Sequence, residues 1–305
     1  MAKTRVAVVG HRPYFGLHMP ISDEMMSVEQ FEFYHKSENT VFNSFEIFKP
    51  DILFAFRPEL VPLSILLSFS GVKIGFSSEI FPKRVGNKIH ADMSHIAKFD
   101  FFDNNVIRKY DFMFHYDVAS REFLEERRIY MSDFPPYPLS TSLFFEERVE
   151  RDIDVLFIGR VSPRRYSLLE PLKRKNIRLV SIDHGFYGDE LITLLRRSKI
   201  VLNIHAENHI SFEPRSLIGA AAGSVVVTEA IHVPHWLKEN PFVYTNEICS
   251  NLEEKIDEVL CHYREYAEKA EEYRKVLKSK CSANTLLIEW LNNIRSGQMR
   301  HFRAY

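Results

Sequence analysis

Short, continuous apolar runs alternate with longer mixed segments along the chain. Arg5–Gly10 (RVAVVG) reads as a buried strand closed by glycine, and Asp51–Phe56 (DILFAF), after the Lys49-Pro50 break, as a second. Val72–Phe76 (VKIGF), introduced by Gly71, and Asp111–Tyr116 (DFMFHY) supply a third and a fourth. Helical patterns lie between them, in part of Met26–Phe48 and in Glu59–Phe69. Such alternation predicts a parallel sheet covered on both faces by helices. Ser132–Ser142 (SDFPPYPLSTS) is too rich in proline for regular helix or inner strand and reads as a linker region. The pattern then restarts with apolar runs at Asp152–Gly159, Ile177–Asp183, Lys199–His205, Ser224–Thr228 and Phe242–Thr245. Helical segments at Arg165–Lys173, Gly188–Arg197 and Pro214–Ala222 separate them, so a second α/β unit is expected. The tail is helical: a charged pattern over Leu252–Lys278, then an amphipathic stretch at Asn284–Ile294 that Ser282 or Asn284 could cap. No short-period repeat is present, which argues against a solenoid.

Composition narrows the function classes. A chain of 305 residues is one large domain or two of about 150 residues. Forty Lys+Arg against 41 Asp+Glu leave a formal charge of −1, which argues against a polyanionic nucleic acid as the main partner. Cys249, Cys261 and Cys281 are odd in number and form no CxxC pair, so neither a disulfide framework nor a zinc site is indicated and a reduced, cytoplasmic compartment is expected. The N-terminus runs straight into a strand pattern without a signal-peptide core. The longest apolar run, Val61–Gly71, is too short to span a bilayer. Twenty-five phenylalanines leave peripheral contact with the inner face of a membrane open, although core packing is the plainer account.

Two segments carry candidate chemistry. In Asp154–Leu169 (DVLFIGRVSPRRYSLL) a buried strand ends at Gly159, and Arg160, Arg164 and Arg165 precede a helix. Glycine there allows close backbone approach, a helix N-terminus offers free N–H groups, and arginine binds phosphate oxygens as a fork. The plainer alternative is a solvated basic loop. In Lys199–Glu229 a strand ends with His205, a polar loop with Ser211 follows, and Glu213-Pro214-Arg215 opens a helix of small residues stopped by Gly223. Both segments put polar residues where open α/β sheets bind ligands, beyond the carboxyl ends of the strands. Other constellations fail. His205 and His209 have helical spacing but no HExxH context, which argues against zinc, and there is no GxGxxG, no P-loop and no GxSxG elbow.

These segments resemble the donor half of GT-B glycosyltransferases, in particular the group-1 and CgeB-like families. Their G-R-x-x-P-x-K-G stretch corresponds to Gly159-Arg160-Val161-Ser162-Pro163-Arg164-Arg165-Tyr166, with Arg165 in place of the phosphate-contacting lysine and Tyr166 in place of the last glycine. Their R-x-x-E-A-x-A-x-G pattern is matched at Arg215, Ala221 and Gly223, but Ile218 replaces the acid that grips the donor ribose and Gly219 replaces the first alanine. Glu213 and Glu229 are the nearby substitutes. The resemblance covers roughly residues 110–295; the first half is matched in architecture alone.

The resemblance implies an α/β protein of two Rossmann-like domains with parallel sheets, facing across a cleft. Residues 1–142 would bind the acceptor and 143–282 the nucleotide sugar, and residues 283–305 would carry a helix crossing back onto the first domain. The implied activity is transfer of a sugar from a nucleoside diphosphate sugar, UDP- or GDP-linked, to a glycan, small molecule or other acceptor. No tightly bound cofactor and no metal are expected; Asp152-Ile153-Asp154 has the letters of a DxD motif but reads as the start of a buried strand. Gly159, Arg160, Arg165, His205, Ser211, Glu213 and Arg215 are the candidate donor-binding residues, with Arg165 also acting on the leaving diphosphate. In the first half, His11 in Gly10–Gly16 and Glu79 after the third strand are candidate bases for an inverting reaction. Their plainer accounts are a structural or positioning histidine and an exposed loop carboxylate. Lys83, Arg84, Lys88 and His90 form a basic loop suited to an anionic acceptor, with a solvated face as the blander reading. A sugar-nucleotide epimerase on the same fold and a non-catalytic nucleotide-sugar binding protein, favoured by Ile218, stand as alternatives.

Overall fold

The computed structural model describes residues 3–32, 38–145, 149–183, 185–206, 210–246 and 248–305, side chains of 38–40 excepted. The chain forms two compact units. The first comprises Met1–Tyr137, Pro234–Trp236 and Asn284–Tyr305; the second comprises Pro138–Val233 and Leu237–Ala283. Among the described residues no helix is long and apolar enough to cross a membrane.

The first unit is built on five parallel strands: β1 (Thr4–Val9), β2 (Met26–Phe31), β3 (Ile52–Phe56), β4 (Val72–Ser77) and β5 (Phe112–His115), in the order β2-β1-β3-β4-β5. Central β3 is buried at all five positions, as a strand covered on both faces requires. One face, with Ala7, Val9, Leu53, Ala55 and Met113, packs on a cluster that includes Val41 and Phe45 from α1 (Glu38–Phe48). The same cluster takes Ile65 from α2 (Leu63–Ser68), Phe99 from α3 (Met93–Phe102), and Phe123 from α4 (Arg121–Glu126). The other face presents Phe54, Phe76 and Phe114, whose rings lie 5.9, 6.3 and 4.6 Å from that of buried Trp290.

One expectation changes here, and the linker segment, within which the two units divide, gains a detail. Met26–Phe31, read as part of a helical pattern, is an edge strand. Only its two ends are buried, so it lacks the continuous apolar signal of an inner strand, and the Asp23 carboxylate accepts the Met25 and Met26 N–H groups (both 2.8 Å) to turn the chain into it. The proline-rich segment is largely buried. Within it Asp133 bridges to Phe114 and Leu139 to Ser282.

The second unit repeats the architecture with β6 (Ile153–Ile158), β7 (Leu179–Ile182), β8 (Ser198–Asn203), β9 (Val225–Thr228) and β10 (Val243–Tyr244), ordered β7-β6-β8-β9-β10 and all parallel. Its helices are α5 (Pro163–Lys173), α6 (Gly188–Arg197), α7 (Pro214–Ala221), α8 (Leu252–Cys261) and α9 (Tyr263–Cys281). The single helical pattern over Leu252–Lys278 is thus two helices, broken at His262. In α7, Gly219 lies directly on β8: a Cβ there would sit 2.8 Å from Val201 Cβ, so only glycine lets the helix come this close. At the opposite end of the sheet Arg151 collects main-chain carbonyls of Leu195 (3.3 Å) and Ala222 (2.6 Å), the C-terminal turns of α6 and α7, and bonds Ser224 Oγ (3.1 Å). A last helix, α10 (Ala283–Arg295), carries Trp290 into the first unit. Asn284 does not cap it; its amide bonds Ile21 O (2.8 Å) and Asp23 Oδ2 (2.7 Å) and accepts the Ile21 N–H (3.0 Å).

Candidate functional site

The parallel register brings the carboxyl ends of β6, β8 and β9 to one edge of the second sheet, and the polar residues gather there. Gly159 follows β6 with φ +143°, a conformation L residues rarely adopt, and a Cβ on it would lie 3.0 Å from Arg215 Nη2 and 3.4 Å from Arg165 Nη1. Ser162 caps α5: its Oγ accepts the Arg165 N–H (3.3 Å) and donates to Ala206 O (3.0 Å). Arg165 turns back beneath this loop, donating Nε to Ile204 O (2.8 Å) and Nη1 to Arg160 O (2.8 Å). Arg215, in the first turn of α7, donates Nη1 to Asn203 Oδ1 (3.2 Å) and Ile204 O (3.1 Å). Both guanidinium carbons stand over the buried Phe157 ring, at 5.3 and 5.2 Å from its centroid. The Glu213 carboxylate lies 2.7 Å from Arg215 Nη2 and 3.7 Å from Arg165 Nη2.

Burial, and after it the neighbouring Arg215 charge, brings the Arg165 guanidinium down to about 10, so it stays charged at neutral pH. Arg164 faces the other way. Its two terminal nitrogens grip Glu229, which is buried at the end of β9, and Nη1 also reaches His205 O (2.9 Å). Glu229 in addition accepts the His205 N–H (2.6 Å). The Cys249 thiol, held against Thr245 Oγ1 (3.1 Å), is pushed up to about 11 by burial and is not a thiolate at neutral pH.

Of the candidate donor residues, Gly159, Arg160, Arg165, Glu213 and Arg215 meet at this edge, with Arg160 exposed. His205 and Ser211 are buried, and His205 joins the site through its main chain. His209 lies outside the described residues. Glu229 is committed to Arg164, which leaves Glu213 as the acid facing the paired arginines. Ile218 is buried in α7. Asn203 escaped the sequence reading; its one signal is a polar residue directly after the apolar run Ile200–Leu202, at the carboxyl end of the strand. Its Nδ2 donates to Thr228 Oγ1 (2.9 Å), which aims its Oδ1 at Arg215.

In the first unit His11 and Glu79 follow β1 and β4. Nδ1 of His11 is hydrogen-bonded to Glu32, a residue sequence reasoning passed over, just after the adjacent β2. The His11 ring is tilted against Tyr14, 5.0 Å between centroids. Glu79 is paired with Arg57 and lies 3.6 Å from Lys98. Arg57, at the end of β3 with φ 54°, also pairs with buried Glu59, whose carboxyl is raised by burial. The basic loop is not a solvated face throughout: Lys83 is buried and paired at 2.6 Å with buried Asp117, and Arg84 pairs with Glu122. Those acids come from residues 117–126, so local sequence gave no sign of them.

Residues 160–292 match the glycosyl transferase-like family. Among solved structures, HepE from Anabaena in complex with UDP-glucose is similar over 96% of this chain and 99% of its own, at 9% identity and a TM-score of 0.59. Sucrose-phosphate synthase from Thermosynechococcus elongatus covers 96% and 99%, at 8% identity and 0.58. An E. coli trehalose-6-phosphate protein bound with UDP-2-fluoro glucose covers 95% and 98%, at 11% identity and 0.55. No curated protein sequence matches the chain. The fold is that of the GT-B glycosyltransferases, and the paired arginines lie within the stretch that matches the glycosyl transferase-like family.

Proposed function

We propose that the protein is a metal-independent glycosyltransferase whose second unit binds a nucleoside diphosphate sugar and whose first unit binds the acceptor. The observation that carries this reading is the pair of guanidiniums, Arg165 and Arg215, set side by side over Phe157 and Gly159 at the ligand-binding edge of the sheet. Two like charges held together by main-chain carbonyls and Asn203 suit a ligand with two adjacent anionic groups, which a diphosphate is. In the transfer step the bond between the sugar's anomeric carbon and the diphosphate oxygen breaks and negative charge builds on the leaving diphosphate. Arg165 and Arg215, with exposed Arg160 from the same loop as Arg165, stabilise that charge, the term that is commonly largest in such catalysis. These arginines do at this edge what a bound cation would otherwise do.

If the reaction inverts, His11 is the better candidate base. A carboxylate, Glu32, orients its ring, the arrangement by which histidine bases are held, whereas Glu79 already serves Arg57 and Lys98. UDP and UDP-glucose, bound in the HepE structures, make uridine the first base to test. The test is a thermal-shift screen with UDP, GDP, ADP, TDP and their sugars, followed by transfer assays with and without EDTA. Stabilisation by a nucleoside diphosphate and EDTA-resistant donor turnover are expected. Absence of stabilisation by any of these compounds would sink the donor assignment.

A further inference from the structure

The two carboxylates of the donor edge are held in different ways. Glu229 is buried, takes both terminal nitrogens of Arg164 and accepts a main-chain N–H besides, so it is part of the frame. Glu213 is more exposed, with its carboxylate set against Arg215 and Arg165 at 2.7 and 3.7 Å. It occupies the N-cap position of α7, yet its side chain makes no capping hydrogen bond; Pro214 follows it, and the Ser216 hydroxyl donates to its main-chain oxygen instead (2.8 Å). The carboxylate is thus turned from the helix end towards the two guanidiniums, where an anionic ligand oxygen would sit.

We propose that Glu213 is a built-in competitor for the diphosphate: it neutralises Arg165 and Arg215 in the empty site and is displaced when the donor binds. This rests on the donor reading above and adds that donor affinity is set by an exchange of anions rather than by capture on bare arginines. The carboxylate offsets the repulsion between two neighbouring guanidiniums while the site is empty, and displacing it costs part of the ligand's binding energy.

The probe is inorganic pyrophosphate, which has neither ribose nor sugar for Glu213 to bind, measured by titration calorimetry at fixed ionic strength. Glu213→Gln keeps the shape and removes the charge, and is expected to bind pyrophosphate about ten-fold more tightly than wild type, equivalent to about 1.4 kcal/mol. Glu213→Ala should behave alike and serves if the glutamine variant is poorly folded. Glu213→Asp, which draws the charge back by one methylene, should fall between. Arg165→Ala is the control for the donor reading and should bind more weakly. If Arg165→Ala weakens binding but Glu213→Gln and Glu213→Ala leave it unchanged or weaken it, the competitor is overturned and the donor reading survives; Glu213 then holds the arginines in place. If neither wild type nor any variant binds pyrophosphate, both fail.

Discussion

Arg165→Ala tests the donor site most directly, and its size follows from the geometry. The side chain spends Nε and Nη1 on Ile204 O and Arg160 O, so the plane of the guanidinium is fixed before any ligand arrives. What a diphosphate would gain is one charge-assisted contact in a partly buried setting, about 2–3 kcal/mol. Arg215 stays in place with its own anchors, so binding should weaken rather than vanish. That range corresponds to an affinity for UDP about 30- to 150-fold weaker. Arg165→Lys keeps a charge but cannot hold both carbonyls, and should fall between. Stability should change little, because Ile204 O keeps its hydrogen bond from Arg215 and Glu213 keeps its pairing with Arg215. Calorimetry with UDP gives the affinity, and thermal denaturation confirms that the variant is folded. A folded Arg165→Ala that binds UDP within about two-fold of wild type would refute the reasoning, since that factor is less than 0.5 kcal/mol.

Three further outcomes are expected. Gly219→Ala forces a Cβ to within 2.8 Å of Val201 Cβ, so α7 must retreat from β8 at a cost of about 1–3 kcal/mol and carry Arg215 with it; Val201→Ala in the same chain should restore both melting temperature and UDP affinity. Arg151→Met takes the printed donor from the Ala222 carbonyl at the end of α7, while Leu195 O keeps the Ser198 N–H and the Ser224 hydroxyl, and should cost about 1–3 kcal/mol in urea unfolding, with donor affinity at the far edge of the sheet preserved in the folded protein. Burial holds His115 down to about 4, against about 6.5 when unfolded, despite Asp117 nearby. Above pH 6.5 both states are neutral and the group contributes nothing. As pH falls from about 6.5 to 4 the unfolded chain takes up a proton the folded one refuses, and up to about 3 kcal/mol of stability is lost. His115→Phe, among Phe81, Tyr116 and Phe134, should flatten that part of the stability–pH curve, and an unchanged slope would show that another group titrates there.

The parallel sheets were legible because burial on both faces leaves an unmistakable mark: DILFAF and DVLFIG have few polar positions to hide. Met26–Phe31 was not, since an edge strand buried only at its ends need not alternate or run apolar. Arg160, Arg165 and Arg215 could be assigned to one sheet edge from chain order alone, because strand–loop–helix units return to the same side. Which acid faces which arginine could not. Glu213 and Glu229 are equivalent as letters, and the choice between them follows from β9 ending beside α5, so that Glu229 takes Arg164 and leaves Glu213 to the pair. Glu32 and Asp117 were invisible for the same reason: each becomes meaningful through a neighbour on another element, His11 in one case and Lys83 in the other.

The helix ends of the second unit bear on the proposed anion site at the carboxyl ends of β6 and β8. A helix carries partial positive charge at its N-terminus, so acids stabilise the first turn and bases the last, by about 0.3–1 kcal/mol each. Helices α6, α8 and α9 obey. In α6, Asp189 and Glu190 lie in the first turn and Arg196 and Arg197 in the last; in α8, Glu253 and Glu254 open the helix. The two helices that follow the central strands β6 and β8 do the reverse: α5 opens Pro-Arg-Arg-Tyr and α7 opens Pro-Arg-Ser-Leu, neither with an acid in the first turn. Three arginines thus sit at the wrong ends of their helices for stability. Glu229 offsets Arg164 from inside the fold, and Glu213 offsets the other two from the rim. A chain that follows the dipole rule at α6, α8 and α9 and breaks it at α5 and α7 places its three first-turn arginines where β6 and β8 end, each offset by a carboxylate from another position. On the proposed function, a bound diphosphate would supply negative charge to both helix ends at once.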